Sequence, residues 1–152
     1  MSANARLTEL GISLPEPAKA VANYVPYVRT GNLVHISGQL SNDASGGVKG
    51  TVGVDVTPDQ ANAAARLCGI NLLAQIKAAC DGDLDRVVRI VKLGGFVQAG
   101  PDFIAIPAVI NGCSDLMVEV FGDAGKHARS AVGVYKLPLG FAVEIDAIVE
   151  IR

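Results

Sequence analysis

The chain has no tryptophan and only three tyrosines and four phenylalanines. That scarcity excludes an aromatic core and leaves Val, Ile, Leu and Ala to build one. Cysteine is scarce too: Cys68, Cys80 and Cys113 are odd in number, scattered, and form no CxxC pair. This excludes a disulfide framework and reads as buried small side chains in a reducing cytosol. The two histidines, His35 and His127, have no second histidine or cysteine at ligand spacing. No metal site is predicted, and no cofactor motif appears. Positive charge is not in excess, with 13 Lys and Arg against 15 Asp and Glu for a net charge of −2. A nucleic-acid or anionic-membrane footprint is therefore not expected. No apolar run approaches the ~20 residues of a membrane helix. The start lacks the charged, apolar and small-residue succession of an export signal, so a cytoplasmic location is expected.

What is present suits one domain. Half of the 152 residues are apolar and 18% are charged, enough to bury a core. Residues 1–20, with Pro15 and Pro17, read as an N-terminal arm or a short helix ending in a loop. Thr30-Gly31-Asn32 is a turn between two extended runs, Tyr27–Arg29 and Leu33–Ser37, hence a hairpin. Residues 41–53, rich in Ser, Asn, Asp and Gly, read as a mobile loop. Thr57-Pro58-Asp59-Gln60 opens a helix: Thr57 caps, Pro58 suits the first position, and Gln60 completes a capping box. Ala61, Ala65, Cys68, Leu72, Ile76 and Ala79 make its apolar stripe to about Cys80, and Asp81-Gly82-Asp83 ends it. Val87–Val97 is a β-branched strand, with Gly94-Gly95 marking a bulge or a close approach. Ile104 to Phe121 reads as a second helix interrupted by Pro107 and Gly112. Ser130–Tyr135 and Ala142–Ile151 are the last strands. The order β-β-α-β-α-β-β gives an α+β fold, a mixed sheet with two helices on one face.

The chemistry concentrates near the C-terminus. Ala128-Arg129-Ser130 and Val143-Glu144-Ile145-Asp146-Ala147 are separated by the turn Lys136-Leu137-Pro138-Leu139-Gly140. Arginine offers a planar fork for a carboxylate, and a nearby carboxylate can hold or deprotonate a water. In the last strand Val143, Ile145, Ala147, Val149 and Ile151 alternate toward the helices, leaving Glu144, Asp146, Ile148 and Glu150 on the other face. If Val132 and Val134 face the core, Arg129, Ala131 and Gly133 share that other face with Glu144, and Ser37 joins them. A half-polar face of this kind suits cover by another subunit with a wet pocket between, so intersubunit sites in a homo-oligomer are expected. Ser37 and Gly38, at a strand end, offer backbone N–H groups to an anion. His127 is read as a surface residue, and Gly122-Asp123-Ala124-Gly125-Lys126 lacks the spacing of a phosphate loop.

In this order the pieces resemble the Rid family of reactive-intermediate deaminases, the YjgF/YER057c/UK114 family, over about residues 21–152. The family's Ala-Arg-Ser, Leu-Pro turn and Val-Glu-Ile-Glu-Ala-Ile are matched by Ala128-Arg129-Ser130, Leu137-Pro138 and Val143-Glu144-Ile145-Asp146-Ala147-Ile148. Tyr24-Val25, Gly31-Asn32 and Ser37-Gly38-Gln39 match its N-terminal pieces, and Asn111 matches an asparagine of the second helix. The resemblance implies a chorismate-mutase-like fold, a homotrimer and three clefts between subunits. It implies that Arg129 holds a substrate carboxylate, Glu144 positions the water, and Tyr24, Ser37, Gly38, Asn111 and Ala131 line the cleft. It further implies hydrolysis of 2-enamino and 2-imino acids to 2-keto acids and ammonia. The alternative is a non-catalytic module of the same fold that binds small keto acids. Ala131 stands where the archetype has cysteine, and Ala22-Asn23 replace a Gly-Pro. These departures mark a divergent subfamily.

Overall fold

The computed structural model describes all residues from Met1 to Arg152. Its elements are α1 (Ala3–Glu9), β1 (Tyr27–Thr30), β2 (Leu33–Leu40), α2 (Pro58–Ala79), β3 (Val87–Gln98), α3 (Ile106–Phe121), β4 (Ala128–Val134) and β5 (Val143–Ile151). The strands form one mixed sheet in the order β1-β2-β5-β3-β4, with β3 and β4 parallel and every other pair antiparallel. β1 and β4 are therefore the two free edges.

Thr57 and Gln60 close the capping box of α2, with Pro58 in its first turn. The helix lays Ala61, Ala65, Cys68, Leu72 and Ile76 into the core. α3 starts two residues later than the apolar pattern suggests, at Ile106, so that Pro107 sits where its missing N–H costs nothing. Gly112 does not break α3. A Cβ there would collide with the backbone oxygen of Asn62 in α2, so the glycine lets the two helices touch. Both helices pack on one face of the sheet over Val34, Ile36, Ile90, Leu93, Val97, Ile145 and Val149. α1 buries Ala3 and Leu7 and tucks beside α3.

One expectation needs correction, and one open alternative is decided. The segment 41–53 is tied down rather than loose. Asn71 donates to the carbonyls of Leu40 and Asn42 at 3.1 and 2.9 Å, Ser41 bonds Val48, and Val52 is fully buried. Its polar composition serves turns and caps as much as solvent. Of the two readings of Gly94-Gly95, the close approach holds and the bulge does not. A Cβ on Gly94 would meet the Asp146 carboxylate, and one on Gly95 would meet Ile110 at 2.7 Å. The β3 irregularities lie earlier, between Val87 and Lys92.

Candidate functional site

Arg129 leaves β4 toward the helices, contrary to the expectation from Val132 and Val134. In the parallel pairing it aligns with buried Leu93, Ala131 with Gly95, and Gly133 with buried Val97. Gly133 faces Ile106 of α3. Val132 points the other way and is 46% exposed. The alternation gives the wrong phase because β4 is an edge strand. At an edge an apolar side chain can lie outside the chain's own core, so hydrophobicity alone does not tell the faces apart.

The guanidinium lies against α3. Its Nη1 donates to Asn111 Oδ1 at 2.8 Å and to Ser114 Oγ at 3.1 Å. No carboxylate lies within ion-pair distance, because the chain's three salt bridges are Arg66–Glu119, Arg86–Asp81 and Lys126–Asp123. A structural pair with Glu144 or Asp146 is thereby ruled out within one chain. Ser114 also meets His127 Nε2 at 2.9 Å, and His127 Nδ1 lies 2.6 Å from the Gly125 carbonyl. The reading of His127 as a plain surface residue is corrected accordingly. The sequence analysis missed Ser114, whose one available signal is its place three residues after Asn111 on the same helix face. Beneath the arginine, burial pushes the Cys113 thiol up to about 12 against the pull of Arg129. It stays protonated and is no nucleophile.

Glu144 and Asp146 occupy the uncovered face of the sheet, as the β5 alternation indicates. The Glu144 carboxyl lies directly over Gly38, where any side chain would strike its Oε1. Gly38 sits in a β2 irregularity between Ile36 and Gln39. Burial first, and the charge of Asp146 second, hold the Glu144 pKa above the ordinary carboxylate value. Burial also raises Asp146, while the Gly94 amide and Lys92 pull it back.

Tyr24, Ser37 and Gly38 come together in a cleft of about 400 Å³ that the segment Pro15–Ala20 helps to wall. Tyr24 is 55% exposed there. Ser37 is not a free donor: its N–H goes to the Pro26 carbonyl at 2.9 Å and its hydroxyl to the Val25 carbonyl at 2.7 Å.

The candidate residues thus fall into two groups in one chain. Arg129, Asn111 and Ala131 belong to the β4–α3 edge on the helix side. Glu144, Gly38, Ser37 and Tyr24 belong to β2, β5 and the segment before β1. Two strand spacings, ~10 Å, separate Arg129 on β4 from Glu144 on β5, three separate it from Ser37 and Gly38 on β2, and the thickness of the sheet lies between. The expectation that Arg129 and Glu144 share a sheet face fails.

Fold and residues together define the class. The family described as "YjgF/chorismate_mutase-like, putative endoribonuclease" matches residues 4–148, and the chain belongs to this YjgF/Rid family. It is 50% identical over 150 residues to Protein TCP17 of Trypanosoma cruzi, covering 97% of this chain and 93% of that one. The crystal structure of Atu1372, a protein of unknown function from Agrobacterium tumefaciens, superposes with a TM-score of 0.93 at 49% identity, over 99% of this chain and 92% of that one. A 2-iminobutanoate/2-iminopropanoate deaminase of the mite Dermatophagoides farinae is 30% identical over 141 residues, covering 93% of this chain and 95% of its own length. No helix of this chain is long and apolar enough to cross a membrane.

Proposed function

We propose that the protein hydrolyses small 2-enamino and 2-imino acids to 2-keto acids and ammonia, at sites shared between subunits of a cytoplasmic homotrimer. The observation that carries this reading is the Arg129 guanidinium, fixed at one nitrogen and without a carboxylate partner in its own chain. A partly buried cation held this way favours a bound anion. Glu144 supplies the second element, a carboxylate with an elevated pKa beside a glycine that leaves room at the backbone.

Because the sheet divides these groups, they can cooperate only across a subunit contact. Arg129 at the β4 edge of one copy would face Glu144, Gly38 and Tyr24 of the next. Two different surfaces meeting head to tail close into a ring, as a trimer requires. Exposed apolar side chains flank both surfaces: Ile104, Val132, Tyr135 and Leu139 near β4, and Val21, Val25 and Val28 near β1.

In the reaction, Arg129 holds the substrate carboxylate and so places the imine carbon. An enamine first tautomerises to the imine. Glu144 takes a proton from water as the oxygen attacks that carbon, giving a carbinolamine. That proton passes to the nitrogen. The carbinolamine hydroxyl then gives its own proton through Glu144 to the same nitrogen as the C–N bond breaks and the C=O forms, and keto acid and ammonia leave. Positioning and one acid–base group suffice for a reaction that already runs in water. The net charge of −2 gives the chain little attraction for an RNA backbone.

The test is complementation. A dehydratase acting on threonine generates 2-iminobutyrate, and keto-acid release is followed with this protein. Arg129→Ala and Glu144→Gln homo-oligomers should each keep no more than about a hundredth of wild-type activity. Refolded as a 1:1 mixture, they should regain about a quarter of wild-type activity, because one contact in about four then carries both native groups. Wild type that binds 2-oxobutyrate without accelerating release would make the protein a carboxylate-binding module. Mixtures that stay inactive would reject the shared site.

A further inference from the structure

Two hydrogens reside on each terminal nitrogen of a guanidinium, and both hydrogens of Arg129 Nη1 are taken, by Asn111 Oδ1 and Ser114 Oγ. Nε and Nη2 donate to nothing in the chain. An end-on grip on a carboxylate needs one hydrogen from each terminal nitrogen. A side-on grip uses Nε–H and one Nη2–H. Only the side-on edge is left free.

The lock on Nη1 has a second layer. The Gly125 carbonyl can only accept, so the 2.6 Å contact places a proton on His127 Nδ1. Nε2 of the neutral ring is then an acceptor, and Ser114 must donate its single hydrogen there, across 2.9 Å. The Ser114 lone pairs are left for Arg129. In the opposite ring tautomer, Nε2–H would claim one of those lone pairs. The charged groups around His127 are Arg89, Lys126 and Glu150, which share its surface depression, together with Arg129 beyond Ser114.

We propose that Ser114 and His127 are positioning residues that, with Asn111, lock Nη1 of Arg129, so that its Nε–Nη2 edge meets the carboxylate of a small 2-oxo or 2-imino acid side-on. The proposal rests on the reading of Arg129 as a carboxylate clamp. It also explains the histidine two residues before the arginine: the ring holds the serine hydroxyl in one orientation.

Two measurements on the full-length protein decide it. In ¹⁵N NMR of ring-labelled histidine, with His35→Gln separating the two rings, His127 should show protonated Nδ1 and bare Nε2. The Nε2 signal should shift in Ser114→Ala. A protonated Nε2, or a signal blind to Ser114→Ala, overturns the relay whatever the activity. In titrations with 2-oxobutyrate, Ser114→Ala should bind about tenfold more weakly and Ser114→Thr nearly as wild type. In turnover the same loss should fall mainly on KM. Ser114→Ala binding like wild type, while Arg129→Ala does not bind, rejects the relay and keeps the clamp. Wild type that fails to bind rejects the ligand-facing half of the proposal along with the clamp, and the ring signals still decide the lock.

Discussion

Arg129 and Glu144 differ in what their surroundings ask of them. The arginine is anchored through one nitrogen by neutral acceptors, so its charge is unspent and its fork geometry matters more than its charge. Arg129→Lys should therefore fall in kcat/KM nearly as far as Arg129→Ala, by about 100-fold, because an ammonium cannot reproduce a two-point grip. Steady-state kinetics on 2-iminobutyrate measure this, and a lysine variant within a few-fold of wild type would refute it. Glu144 must be ionised to take a proton from water. Its pKa is raised by burial and by Asp146, so activity should fall on acidification at a pH above the ordinary carboxylate value of 4.5. Asp146→Asn removes the like charge and should move that limb to lower pH without returning it fully, since burial persists. A pH–rate profile that does not move would exclude the coupling.

Among the elements, two glycines have opposite expected phenotypes. Gly112 brings α3 against the backbone of α2, and backbone cannot yield as a side chain can. Gly112→Ala should cost about 2 kcal/mol or more by overpacking, read as a lower denaturation midpoint with no specific loss per folded molecule. A Cβ on Gly38 would first meet the side chain of Glu144, which can move. Gly38→Ala should leave the melting temperature nearly unchanged and lower activity at least about tenfold, by pushing the carboxyl aside. The capped α2, the hairpin and β5 were legible in the chain because each carries a local rule: a capping box, a glycine turn, a strict alternation. β4 was not legible in its facing, because Ala131 and Gly133 are small enough to lie under α3 while Val132 is left outside.

At the scale of the whole molecule, the proposed site has its two halves on surfaces of one chain that cannot meet. Charging the β4 edge should separate the copies. Val132→Asp is expected to give a monomer in sedimentation that keeps the far-UV spectrum of the fold and loses deaminase activity. An active monomer would show that one chain suffices and would end the shared-site reading. Under the same proposal the exposed apolar residues at both sheet edges would lie in the subunit contact.

By itself the sequence determined the element order, the core stripes of α2 and β5, and the family, because each is written in neighbouring residues or in fixed spacings along the chain. Only the tertiary structure decided where Arg129 points and what holds it. That outcome depends on how closely α3 approaches β4, which Gly95, Gly112 and Gly133 jointly set through contacts between elements distant along the chain. The Arg129–Ser114–His127 chain of hydrogen bonds exists for the same reason. Residues 13 to 15 positions apart meet there because a helix and an edge strand are packed together, and no periodicity of either element announces such a meeting.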